Sequence, residues 1–272
     1  MKARQTTAAL FAVVALTAGG CGGGTDEAVE KTVTATDFVA LGDSYAAGLG
    51  AGNYGTDANC KQSKDGGYPQ LFVKEQTTPF AKVTDVACSG AVINDVRYEQ
   101  LNALSDTTGV VTLTVGGNDA GWTTSLQQCL FGDDAGCQTS VEKGVTAAQG
   151  KLPAALDDLY TAIRTKAPNA KVYVLGYPHL VAAPGKSGVS CEQLTDARRK
   201  ALNEGADSLV ELIKGRAEAA EFTFVDVREA FKGHEACTEE PWIHAVGDDL
   251  SESFHPNADG YQAYLKALVA AV

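Results

Sequence analysis

VVTLTVGGND, residues 110–119, is the stretch that decides the fold. Val110 to Val115 is a continuous run of apolar and β-branched residues, too short for a helix, and Gly116-Gly117 stops it. Such a run reads as a strand covered on both faces, the pattern of a parallel sheet. Working outward, four more runs qualify: Phe38–Leu41 stopped by Gly42, Val83–Ala87 stopped by Ser89-Gly90, Val172–Leu175 stopped by Gly176, and Phe222–Val227. Between them apolar residues recur at helical spacings of three and four: Leu152, Leu156, Leu159, Tyr160 and Ile163, then Leu202, Leu209, Leu212 and Ile213, and last Tyr261, Tyr264, Leu265 and Leu268. Strands alternating with amphipathic helices give one α/β domain, read over residues 37–272, with no internal repeat.

The charge balance narrows the function classes. Lys and Arg number 22 against 34 Asp and Glu, a net charge of −12, and the pI is near 4.7. Nucleic-acid binding and electrostatic docking on anionic lipid both need a basic face, and this chain has no Lys/Arg cluster. The N-terminus reads as an address. Lys2 and Arg4 precede an apolar run, Ala8–Ala18, that suits a secretory leader and is too short to span a bilayer. It ends in Ala18-Gly19-Gly20-Cys21, which resembles a bacterial lipobox, with Ala18 where leucine is usual. The expected division is a leader over 1–20, a lipidated Cys21 with a flexible tether over 21–36, and the domain over 37–272. The protein would be exported and held at the cell surface by lipid on Cys21, or secreted if an ordinary cleavage leaves that thiol free. In an oxidising compartment the other cysteines, Cys60, Cys88, Cys129, Cys137, Cys191 and Cys237, can pair. No CxxC spacing occurs, so structural disulfides are expected over a zinc or redox site.

In open α/β sheets ligands collect beyond the carboxyl ends of the strands. The turns there are Gly42-Asp43-Ser44, Cys88-Ser89-Gly90, Gly116-Gly117-Asn118-Asp119 and Gly176-Tyr177-Pro178-His179. A further polar knot, Ser253-Phe254-His255-Pro256-Asn257, precedes the last helix. Ser44 is either an exposed nucleophile or a helix N-cap. His255 is the best base, with Pro256 suited to the first turn of the closing helix; alternatively it is a loop histidine satisfied by backbone. His179, His234 and His244 read as structural or exposed. Asn118 and Gly90 suit an oxyanion hole, although Asn118 could cap the next helix and Gly90 could merely permit a positive-φ turn.

Taken together and in order, these four blocks, Gly-Asp-Ser, Ser-Gly, Gly-Gly-Asn-Asp and His-Pro-Asn, resemble those of the SGNH (GDSL) hydrolase superfamily. The likeness runs from about Phe38 to Val269. Ala87-Cys88-Ser89-Gly90-Ala91, Cys60 with Ser63, Tyr68 and Pro69, Gly233-His234 before Cys237, and Trp242 point to its secreted actinobacterial lipase/esterase branch. The resemblance implies a three-layer, flavodoxin-like α/β/α sandwich on a central five-stranded parallel sheet, and no GxSxG elbow of the other hydrolase fold occurs. It implies Ser44 as nucleophile, His255 as general base and then acid, and an oxyanion hole made by the N–H groups of Ser44 and Gly90 with the Asn118 amide. It also implies the disulfides Cys60–Cys88, Cys129–Cys137 and Cys191–Cys237. One position departs from the superfamily: Glu252 stands where Asp usually precedes the histidine by three. The favoured orienter of His255 is the Ser253 carbonyl, with Glu252 second.

Two weaker patterns remain in the sequence. Gly50-Ala51-Gly52-Asn53-Tyr54-Gly55 fits GxGxxG formally, but it opens no helix and follows its strand too late for a dinucleotide site; it reads as a rim of the cleft. Asp248-Asp249 reads as a solvated loop. No metal or cofactor is expected. The loops over Trp122–Phe131 and Pro241-Trp242-Ile243 are expected to line an acyl pocket, which favours lipid-like esters in a monomeric carboxylic ester hydrolase. The alternatives are an acetyl-carbohydrate esterase, or a non-catalytic glycan- or lipid-binding surface lipoprotein on the same scaffold.

Overall fold

The computed structural model describes residues 35–185, 191 and 193–272. The leader, Cys21 and all of the tether except Ala35 and Thr36 lie outside the described residues. Five strands, β1 (Asp37–Gly42), β2 (Lys82–Asp85), β3 (Thr108–Thr114), β4 (Lys171–Leu175) and β5 (Thr223–Val225), form one parallel sheet in the order β2-β1-β3-β4-β5. The central strands follow their apolar runs closely, and Phe38, Leu41, Val111 and Leu113 are buried completely or nearly so. The two edge strands end earlier than the runs Val83–Ala87 and Phe222–Val227 indicate. Each has a neighbour on one side only, Val83 is 48 % exposed, and Asp226 turns its carboxylate onto Arg228 instead of continuing the ladder.

Among the described residues, seven α-helices flank the sheet: α1 (Ser44–Ala47), α2 (Tyr68–Glu75), α3 (Ile93–Tyr98), α4 (Trp122–Phe131), α5 (Asp134–Lys166), α6 (Asp196–Ala219) and α7 (Ala258–Ala271). Helices α3, α4 and α6 pack on α5, while α2 packs on α7, which gives the three-layer α/β/α arrangement. Helix α5 starts well before the apolar spacing that begins at Leu152. Residues 138–151 include Gly144 and Gly150 and few apolar positions, so their helicity comes from tertiary support. Asp133 caps the helix by accepting from Gly136 N–H at 2.7 Å, the Cys129–Cys137 disulfide ties its first turn to α4, and Val141 and Ala148 are buried. Residues 122–131, read as a loop, are helix α4. All three disulfides are present as paired in the sequence reading, Cys60–Cys88, Cys129–Cys137 and Cys191–Cys237.

Chain order along the sheet reverses between β1 and β3, and a crevice opens at such a switch point beyond the carboxyl ends. Gly42 closes β1 there with φ +131°, and a Cβ on it would lie 2.2 Å from the Thr114 carbonyl oxygen. The buried Gln100 side chain clasps the same residue, accepting from Gly42 N–H at 2.7 Å and donating to its carbonyl at 2.9 Å. Pinned from both sides, the chain leaves the sheet abruptly and enters α1 at Ser44.

Candidate active site

Asp43, not Ser44, is the N-cap of α1: its carboxylate accepts from Tyr45 N–H at 3.0 Å. Ser44 is therefore the first helical residue, and its N–H has no acceptor within the helix. With capping done by its neighbour, the Ser44 hydroxyl is free to face the crevice, where Oγ lies 2.7 Å from His255 Nε2.

His255 sits in the loop before α7, held by backbone on both sides. His244 N–H donates to the His255 carbonyl at 2.9 Å, Phe254 N–H donates to the His244 carbonyl at 2.8 Å, and Asn257 N–H donates to the Trp242 carbonyl at 2.9 Å. Asn257 caps α7 by accepting from Gly260 N–H. Pro256 therefore precedes the cap and pairs with Ile243, instead of occupying the first helical turn.

The imidazole's second partner fixes its tautomer. Nδ1 lies 3.1 Å from the Ser253 carbonyl oxygen, which can only accept. Nδ1 carries the proton, Nε2 is the lone-pair nitrogen, and Ser44 O–H is the donor toward it. Burial pushes the His255 pKa down to about 4, against smaller upward contributions from Ser253 and Glu252 backbone. The ring is thus neutral and ready to accept a proton at neutral pH. The Glu252 carboxylate is engaged elsewhere, accepting from the Tyr54 hydroxyl.

Gly90 has φ +83°, with nothing within 4 Å of where a Cβ would be. Glycine is required there by backbone conformation and not by crowding. The Cys60–Cys88 bridge and a Ser89 N–H to Cys60 carbonyl bond of 3.0 Å hold the turn. Gly90 N–H has no acceptor among the described residues. The cap position of α4 is Gly121, so Asn118 is not a cap. Its side-chain Nδ2 donates one N–H to the Ala91 carbonyl at 2.9 Å, which leaves the other for a ligand.

Ser44, Gly90, Asn118 and His255 line one cavity of about 370 Å³. Its walls are apolar: Leu126, Leu130 and Phe131 of α4, Leu209 of α6, and Val246 and Leu250 of the loop before His255. Phe131 is 77 % exposed and Leu250 69 %, which places both at the mouth. The Trp122–Phe131 segment lines the cavity as its sequence suggested. Pro241-Trp242-Ile243 does not; Trp242 stacks on His234 at 3.6 Å and meets Phe231 edge-on.

Residues 50–55 also lie outside the cavity lining and have a different use. Tyr54 O–H accepts from Gly50 N–H at 2.9 Å and donates to Glu252, while the Gly50 carbonyl lies 2.9 Å from His244 Nε2. The glycine-rich segment braces the loop that carries His255. Asp249 is exposed and pairs with Lys61 at 2.9 Å, and His179 pairs with Asp207 at 2.9 Å. The functional contributors that sequence reading passed over are Gln100, Tyr45, Tyr54 and Tyr177. Only Tyr177 carried a signal, its place in the turn after β4.

The model of the GDSL-like Lipase/Acylhydrolase family matches residues 40–263, spanning Ser44 and His255. The chain belongs to the GDSL-like lipase/acylhydrolase family. Lipase 1 of Streptomyces coelicolor is 39 % identical over 241 residues, 88 % of this chain and 87 % of that one. The crystal structure of the extracellular lipase of Streptomyces rimosus superposes with a TM-score of 0.81 at 38 % identity, covering 88 % of this chain and all of that one. A phospholipase A1 from Streptomyces albidoflavus NA297 is equally similar in structure, with TM-score 0.81, 37 % identity and the same coverage. As a member of the GDSL-like family with such relatives, the chain is a serine hydrolase of carboxylic esters.

Proposed function

We propose that the protein is exported, carries lipid on Cys21, and cleaves lipid-like acyl esters through an acyl-enzyme on Ser44. The observation that carries the catalytic part is the 2.7 Å contact between Ser44 Oγ and the lone-pair nitrogen of His255, at the base of an apolar cavity. Ser44 Oγ attacks the ester carbonyl carbon while Nε2 takes its proton. The imidazolium that forms keeps its Nδ1–H on the Ser253 carbonyl. The carbonyl oxygen, now anionic, accepts from the N–H groups of Ser44 and Gly90 and from Asn118 Nδ2. Collapse of the tetrahedral intermediate expels the alcohol, protonated by His255. Water activated by the same nitrogen then releases the acid.

The apolar wall favours a long acyl chain over an acetyl group, because each buried methylene contributes about 0.8 kcal/mol. With p-nitrophenyl esters from acetate to palmitate, kcat/KM is expected to rise through the medium chains, as the chain fills the space between Leu126, Leu130 and Leu209. A maximum at acetate, or preference for acetylated xylan, would favour the acetyl-carbohydrate reading. Absence of turnover on every ester sinks the catalytic proposal and leaves the binding alternative.

Export is supported by the apolar leader, by the three disulfides and by likeness to an extracellular lipase. Lipidation rests on the Ala18-Gly19-Gly20-Cys21 stretch. Mass spectrometry of the mature N-terminus should find a diacylated cysteine as residue one. An unmodified start elsewhere removes the anchor and leaves a secreted enzyme.

A further inference from the structure

Both neighbours of Ser44 are tied to another part of the site through a tyrosine hydroxyl. Tyr45 makes its own link, donating to the Phe254 carbonyl at 2.6 Å in the loop that carries His255. Asp43 makes its link through Tyr177, from the turn after β4. The Tyr177 hydroxyl donates to Asp43 Oδ2 at 2.5 Å and accepts from Gly117 N–H at 3.0 Å. Gly117 is the residue before Asn118. A Cβ on Gly117 would stand 3.3 Å from Tyr177 Cζ and Oη, so the phenol lies directly against this backbone. Asp43 and Tyr177 are buried, 2 % and 7 % exposed, and the Tyr177 ring packs edge-on against Tyr45 at 5.0 Å.

We propose that Tyr177 is a positioning residue for the oxyanion hole: its hydroxyl, held by Asp43 beside the nucleophile, fixes Gly117 and thereby the placement of the Asn118 amide relative to Ser44. This rests on the reading of Ser44 and Asn118 given above. Asn118 has two restraints. The Ala91 carbonyl orients its side chain, and the Asp43–Tyr177–Gly117 chain sets where its backbone begins. An oxyanion hole acts only if its donors already stand about 2.7–3.1 Å from where the charge will develop. A shift of about 1 Å made far from the chemistry can cost on the order of a hundredfold. The tyrosine hydroxyl suits this use, since it donates and accepts at once and so links the nucleophile turn to the donor turn.

The test is Tyr177→Phe, which keeps the ring and its packing on Tyr45 and removes only the hydroxyl. On a soluble medium-chain ester, kcat is expected to fall about 10- to 50-fold with KM within about threefold of wild type. The Ki of an alkylboronic acid, which adds to Ser44 as a tetrahedral anion, should rise by the factor by which kcat/KM falls. The Kd of a long-chain alcohol, which fills the cavity without an oxyanion, should stay within about twofold. Asp43→Asn has one oxygen where the carboxylate uses two, so it can keep the Tyr45 N–H or the Tyr177 hydroxyl but not both, and its kcat is expected to fall along with that of Tyr177→Phe. A Tyr177→Phe enzyme with kcat within twofold of wild type overturns the proposal. So does a parallel rise in the boronate Ki and the alcohol Kd, which would mark a general loosening of the cavity. Loss of kcat in Asp43→Asn without loss in Tyr177→Phe overturns it too, because the carboxyl and not the link would then matter. Failure of the underlying site assignment reads differently: the wild-type enzyme would form no boronate adduct on Ser44.

Discussion

Replacing Ser44 by alanine is expected to lower kcat roughly 10⁴- to 10⁶-fold, His255→Ala about as far, and the double substitution no further than either alone. The two side chains act as one unit, since the hydroxyl is nucleophilic only as its proton passes to Nε2. Removing either member removes the whole step. What survives is the oxyanion hole and substrate binding. Initial rates on a soluble ester, with protein shown to be folded by its thermal transition, provide the measurement. A Ser44→Ala enzyme that keeps a hundredth of wild-type turnover sinks the assignment.

The same experiment separates a dyad from a triad. Glu252→Ala is expected to change kcat less than about threefold, because Nδ1–H is already held by the Ser253 carbonyl and the Glu252 carboxylate serves Tyr54. A loss near a thousandfold would show that the carboxylate orients the ring. The pH profile adds a check on the base. His255 must be neutral to accept the proton, and burial holds its pKa at about 4. As pH falls through that value the ring becomes charged and kcat/KM should drop about tenfold per unit, with a plateau above about pH 5. An acid limb near the ordinary histidine value of about 6.5 would mean that the imidazole is solvated in the working enzyme.

What the sequence revealed of this site follows from the range of each interaction. The strands, the Gly-Asp-Ser turn and the late histidine were legible because each depends on a few consecutive residues: an apolar run, a glycine stop, a proline after the base. Whether Ser44 caps the helix was not legible from the Gly-Asp-Ser turn alone. It turned on Asp43 taking the Tyr45 N–H, a matter of φ, ψ and one side-chain rotamer. The early start of α5 was hidden because its support comes from α4, α6 and a disulfide, not from its own periodicity. Gln100 was invisible and Tyr177 showed only as a member of the turn after β4, since their partners lie 58 and 134 residues away. The glycine-rich segment at 50–55 misled in a more specific way. Its pattern reads as a flexible rim of the cleft, whereas Gly50 serves a close approach: a Cβ on it would lie 2.3 Å from the Pro256 carbonyl oxygen.

Asn118→Ala is the second large effect, with kcat expected to fall about 10²- to 10³-fold, or about 3–4 kcal/mol of transition-state stabilisation. The amide has two N–H groups and one is spoken for by the Ala91 carbonyl. That bond makes the other directional, which suits a side chain to the oxyanion role proposed for it beside two backbone N–H groups. The ground-state carbonyl oxygen carries little charge and is displaced from where the oxyanion will stand, so KM should move less than threefold while kcat takes the loss. Asn118→Asp sharpens the test. It conserves size, but a carboxylate cannot donate to Ala91, and its charge would repel the forming oxyanion. Its kcat should fall at least as far as that of the alanine variant at pH 7, and its ratio to wild type at the same pH should recover in part as the acid is protonated. The rate at which an alkylphosphonate modifies Ser44 should fall in step with kcat, because that reaction also develops negative charge on an oxygen in the hole. A raised KM with kcat intact would instead make Asn118 a substrate-binding residue, leaving the Ser44 and Gly90 N–H groups as the oxyanion donors.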